Sequence, residues 1–134
     1  MAAIRRDAQQ QARVIAAGAL VSNGSAGPPG APGISLHLNL RAAGMAMTRH
    51  QALQTVTINA ARHARVGQDL GSVEAGKLAD LVLVRGNPLQ DLTAAANVEY
   101  VIKNGNVFTQ AQIVAPFRMP PCADQAGACG PSDE

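Results

Sequence analysis

The sequence predicts an α/β chain in which helical segments lead into a small β module, and three observations carry that reading. Leu81 to Val84 is an unbroken apolar run rich in branched side chains, which suits a strand buried on both faces. Val98 to Lys103 is a second strand candidate. It ends at Asn104-Gly105, a pair that favours a two-residue primed turn, and Val107-Phe108 begins the return. Upstream, apolar residues recur at helical rather than strand spacing, as at Ala8, Ala12, Ile15 and Ala16.

In chain order, Ala3 to Ala16 is a helix with a polar face of Arg5, Arg6, Gln9 and Arg13. Gly18 to Ser22 reads as a short strand. Asn23 to Gly33 is a loop by composition, and it is no phosphate loop: it lacks a Gly-Lys-Ser/Thr ending, and Pro28-Pro29 removes backbone donors. Ile34 to Ala42 is a helix with Ser35 as its cap and Leu36 and Leu40 on one face. Gly44 ends it. Thr48 caps a helix to about Thr57, with Ala52, Leu53 and Val56 inward, and Asn59 caps a short turn to Arg65 that Gly67 stops.

Glu74-Ala75-Gly76-Lys77 places glycine third in a type II turn, where positive φ is required. Asn87 to Asp91 turns into a short helical segment, and Tyr100 is expected to pack within the module. Gln110 to Phe117 makes one amphipathic turn. The rest, residues 116–134, is rich in Pro and Gly and is expected to be a disordered tail. Cys122 and Cys129 there suit either a small disulfide loop in an oxidising compartment or two unpaired thiols.

Composition excludes several functions. A net charge of +2, from 11 basic and 9 acidic residues, is too small for a nucleic-acid footprint, which weighs against reading Thr48 to Gly67 as a DNA-binding helix-turn-helix. No apolar stretch is long enough to cross a membrane, and Met1 to Asp7 lacks the regions of a signal peptide. Compartment is left open, with a cytoplasmic location favoured. His50 and His63 lie 13 positions apart across a helix break, so they make no metal pair, and solvated side chains are the expectation. Asp80 is read as sitting within an apolar strand, where a buried carboxylate must be hydrogen-bonded or lose its charge, and so as an anchor for backbone or turn groups.

Three ordered blocks, Leu70 to Val84, Gly86 to Asp91 and Val101 to Val107, resemble the carboxy-terminal end of metal-dependent amidohydrolases, those related to imidazolonepropionases and Xaa-Pro dipeptidases most of all. Upstream segments from about Ile15 fit the same order, including the Ala-Leu-x-x-x-Thr-x-Asn-x-Ala-Arg pattern from Ala52 to Arg62. The resemblance implies the carboxy-terminal fragment of a (β/α)8 barrel plus a small β-sandwich-type composite module. Residues 1–66 would be the last helix-strand-helix part of the barrel, 67–115 the β module and 116–134 the tail. A whole barrel needs roughly 250 residues, against 134 here.

What the family resemblance implies chemically is metal-assisted hydrolysis of carbon-nitrogen bonds, with a divalent metal, zinc, in the complete enzyme and a small amide or cyclic amide as substrate. Where members usually carry Gly-Thr-Asp at the end of the eighth strand, this chain has Gly24-Ser25-Ala26, and an alanine methyl neither binds a cation nor accepts a proton. His37 resembles a histidine bordering the family's pocket, although a lone histidine without a second ligand is more often a surface or packing residue. No His-x-His pair or bridging lysine is identifiable, since Lys77 and Lys103 belong to the β module. No catalytic, cofactor-binding or metal-binding residue is therefore assigned, and the chain alone is expected to hold no metal and to lack turnover. The alternative is a non-catalytic remnant or docking subunit that completes a separate barrel chain, with a homo-oligomer as a further arrangement and neither nucleic acid nor membrane as partner.

Overall fold

The computed structural model describes residues 2–25 and 32–117. Four helices come first: α1 (Ala2–Ala16), α2 (Pro32–Ala43), α3 (Arg49–Val56) and α4 (Ile58–His63). The β module follows, with β1 (Leu81–Val84), a 3-10 turn (Leu92–Ala96), β2 (Val98–Lys103), β3 (Asn106–Thr109), α5 (Gln110–Val114) and a closing 3-10 turn (Ala115–Phe117).

Helix α2 starts two residues earlier than expected, at Pro32, whose fixed φ suits the first turn and whose missing N–H would have had no helical partner. Ser35 consequently lies inside the helix and is not its cap. Thr48 does cap α3: its Oγ1 accepts from the Gln51 N–H at 3.2 Å, and Gln51 Oε1 accepts from the Thr48 N–H at 3.1 Å, satisfying two orphan donors reciprocally. A single residue, Thr57, separates α3 from α4 and caps α4 without a side-chain bond. Asn59 is thus within α4, where its amide is spent elsewhere. Arg65 at φ 62°, rather than Gly67, turns the chain out of α4.

The core joins both halves of the chain. Leu40 and Ala43 of α2, Ala52 of α3 and Leu92 of the 3-10 turn are buried together, flanked by Met47, Leu53, Val56 and Ala95. Asp91 places Leu92 there by accepting the Thr93 N–H at 2.9 Å. Gly44 makes room for it, since a Cβ at that position would lie 2.4 Å from Leu92 Cδ1. Tertiary packing rather than α2 or α3 alone therefore fixes the helices against the β module.

The three strands form one antiparallel sheet in the order β1-β2-β3, with Val82 opposite Val101 and Val101 opposite Phe108. Asn104 (φ 50°) and Gly105 (φ 79°) both take positive φ, as a type I′ turn requires. Two expectations about burial are corrected. Strand β1 is not covered on both faces: Val82 is 58% and Leu83 45% exposed, because β1 is an edge strand and no second sheet packs on it among the described residues. The described β module is accordingly one sheet and not a sandwich. Tyr100, 42% exposed, lies on the open side rather than in a core. The short strand expected at Gly18 to Ser22 is not formed: Gly18 lies in a turn at φ 81° and the residues after it are irregular, with no strand beside them among the described residues. Residues 116 and 117 belong to the closing 3-10 turn; the rest of the expected tail, with Cys122 and Cys129, and Ala26 lie outside the described residues.

Candidate functional site

The irregular segment Ala19 to Ser25 is held by side chains from all four helices instead of by strands. The Asn23 N–H donates to Thr55 O at 3.0 Å, using a carbonyl in the last turn of α3 that the helix itself leaves open. Asn23 Nδ2 donates to Gln11 Oε1 of α1 and to Thr55 Oγ1, each at 3.1 Å, and Thr55 Oγ1 donates onward to Ala52 O at 2.6 Å. Asn59 Nδ2 of α4 donates to Val21 O at 3.1 Å, and Asn39 Nδ2 of α2 donates to Gly24 O at 2.8 Å. Ser22 Oγ and His63 Nδ1 lie 3.0 Å apart, and Ser25 Oγ is bonded to Ser35 Oγ. Thr55 is fully buried, and no described buried side-chain polar atom lacks a partner.

The arrangement is a rigid scaffold of neutral amides and hydroxyls that fixes the backbone leading to Ala26. It offers donors and acceptors but no negative charge, and the nearest carboxylate in the chain of bonds, Asp7, accepts from Gln11 Nε2 at 3.0 Å on the far side of Gln11. Among the described residues no group of three His, Cys, Asp or Glu side chains could hold a metal. The donor set of this segment, as described, therefore does not fit a divalent cation. His37 is half-buried on α2, while His50 and His63 are exposed. Sequence reading placed Asn23 in the loop and overlooked Thr55; the only signal for Thr55 was its spacing of three from Ala52 on the inward face of the helix, where a buried hydroxyl needs a bonding partner.

The charged residues of the β module serve its turns. Asp80 Oδ1 accepts from the Asn104 N–H at 2.8 Å and its other oxygen pairs with Lys103, so it ties the start of β1 to the β2-β3 turn. Lys77, with its side chain 11% exposed, donates to Gly67 O at 2.8 Å and to Ser72 Oγ at 2.6 Å. Glu74 accepts from Ser72 and lies near Lys77, which together hold its carboxyl below the usual value.

The bond from Lys103, and then that from the Asn104 N–H, likewise lowers the Asp80 carboxyl below its ordinary 3.8. A depressed folded value means that this stabilisation is complete above the unfolded value and lost as pH falls through the folded one. The melting temperature of the protein should thus fall more steeply on acidification below pH 4 or so than that of Asp80→Asn, whose amide cannot titrate. Parallel curves from circular dichroism would show that Asp80 contributes nothing pH-dependent.

Residues 2–108 match the model of the amidohydrolase family. The chain is 39% identical over 105 residues to an imidazolonepropionase of Geobacillus sp., covering 74% of this chain and 25% of that relative. It is 36% identical over 89 residues to an adenine deaminase of Rubrobacter xylanophilus, covering 61% of this chain and 14% of that relative. Among solved structures it is similar to a Xaa-Pro dipeptidase with methionine bound in its active site, at a TM-score of 0.66 and 29% identity, covering 76% of this chain and 25% of that one. A prolidase complexed with N-methylphosphonate-L-proline superposes at a TM-score of 0.67 with 27% identity, covering 75% of this chain and 26% of the other. The chain thus spans at most about a quarter of the relatives it matches in sequence.

Proposed function

The chain belongs to the amidohydrolase family, and from that we infer that it supplies the carboxy-terminal portion of a hydrolase acting on carbon-nitrogen bonds of small amides or cyclic amides. Residues 1–66 serve as the last helix-strand-helix part of a (β/α)8 barrel and 67–115 as the appended β module. The observation that carries this reading is the segment Ala19 to Ser25, which side chains of four helices hold without a neighbouring strand among the described residues, as a barrel strand awaiting its ladder would be held. The family match supports it by running through the helices and the sheet as one stretch.

In a complete family enzyme the chemistry supplied by a divalent metal would be polarisation of the carbonyl and a lowered pKa of water, and no described residue of this chain is assigned to hold it. The residues of this chain set the strand end in place and contribute neutral hydrogen-bonding groups; turnover by this chain alone is not expected. Ala26 favours a second reading, a non-catalytic subunit that docks onto a barrel chain. Both are tested by mixing the protein with a Geobacillus imidazolonepropionase lacking the quarter it matches, then measuring association by native mass spectrometry, zinc content and hydrolysis of imidazolonepropionate. Association with turnover supports the hydrolase reading, and association without turnover the docking reading. Failure to associate, or stoichiometric zinc on this chain alone, would overturn both.

A further inference from the structure

We propose that the hollow between the end of α4 and the turn preceding β1 binds a small dianionic oxyanion of the phosphate class. The hollow measures about 430 Å³ and is lined by Ile58, Arg62, Arg65, Gln68, Glu74 and Lys77, together with the backbone at Gly67. Two of its cations converge on Gly67. The Arg62 stem lies across it, since a Cβ there would sit 3.1 Å from Arg62 Cγ, and Lys77 Nζ donates to its carbonyl at 2.8 Å. Lys77 is a fixed, largely buried positive charge, whereas the guanidinium groups of Arg62 and Arg65 make no hydrogen bond or ion pair with any described residue.

The backbone brings Arg65 to this place by an unfavourable route. Its N–H donates to Arg62 O at 3.0 Å and the Val66 N–H to Ala61 O at 2.9 Å, the bonding of a helix end that usually has glycine at the left-handed position. Here that position is Arg65, at φ 62°. A side chain that costs stability where it stands, with no partner for its charge among the described residues, is accounted for if it meets a ligand. The charge balance favours a dianion: Lys77 is paired with Glu74 and its other donors go to Gly67 O and Ser72 Oγ, which leaves the two positive charges of Arg62 and Arg65 for the ligand. Guanidinium forks match the paired oxygens of a phosphate, and the Gln68 amide adds a neutral donor.

The test is a titration of the protein with inorganic phosphate at low ionic strength, read by NMR shifts and by melting temperature, with sulfate, acetate and chloride at matched ionic strength as comparisons. One-site saturation by phosphate with a rise in melting temperature is expected, with weaker effects from acetate and none from chloride beyond screening. Arg65→Gly separates binding from folding, because it should raise the melting temperature without phosphate while weakening phosphate binding by about tenfold. Glu74→Gln should tighten binding, and Arg49→Gln, on α3 outside the hollow, should leave it unchanged. An equal phosphate response in the parent protein and in Arg65→Gly, or an equal shift with chloride, would overturn the site and leave only general screening of surface charge.

Discussion

Replacing Gly71 by alanine is expected to remove about 3 kcal/mol of stability, a large share of the roughly 5–15 kcal/mol that holds a small domain together. Two separate costs add. Gly71 has φ 95°, a backbone region that an L side chain enters at a cost of roughly 1–2 kcal/mol. In addition, a Cβ there would lie 2.6 Å from Ala61 Cβ, 2.9 Å from Ile58 Cα and 3.2 Å from Thr57 O. Two of these are backbone atoms of the α3-α4 junction that cannot swing aside, so overpacking adds about 1–3 kcal/mol. Gly76→Ala is the control. Its φ of 90° is similar, yet nothing lies within 4 Å of the added methyl, so only the conformational cost of about 1–2 kcal/mol applies. Urea denaturation of both variants should place Gly71→Ala well below Gly76→Ala; equal midpoints would show that the chain does not press against α4 at this point.

This close passage also shows which parts of the fold were legible. Strand β1, strand β2 and the Asn104-Gly105 turn appeared within a residue of their predicted limits because their signals are local: a branched apolar run and a dipeptide suited to positive φ. The role of Asp80 was legible for a similar reason, since a carboxylate beside an apolar strand must find donors. Burial was not legible. Leu81 to Val84 reads identically whether a strand is covered or stands at an edge, and coverage depends on residues far away in sequence. The segment from Gly18 to Ser22 has strand composition, but a strand is defined by its neighbour. At the strand end, Asn23 meets Thr55 across 32 positions, a separation that no window of periodicity spans. Pro32 was absorbed into a loop because the stretch from Gly27 to Gly33 is dense in glycine and proline, although a proline's fixed φ suits the first turn of a helix.

Ala26→Asp should raise hydrolysis by the complex of this chain with a complementary barrel chain by at least about 100-fold, the lower range for a positioned general base. The residues before it are already set. Asn23 is bonded through its backbone to Thr55 and through its amide to both Gln11 and Thr55, and Asn39 holds the Gly24 carbonyl. A carboxylate at position 26 would follow directly on this bonded segment, so less of the cost of ordering a catalytic group is left to the complex. It would also provide the negative charge that the neutral cluster lacks, so zinc per complex should rise together with turnover. The isolated variant is the necessary comparison: one added carboxylate does not make a metal site, and Ala26→Asp alone should bind no more zinc than the parent. Ala26→Asn, of nearly the same shape but without charge or basicity, should remain at the parent's rate. If it gained as much as the aspartate, the effect would lie in packing or association and not in proton transfer. If the complex with Ala26→Asp bound zinc and still failed to turn over, the departure from hydrolysis in this chain would extend beyond that one methyl group.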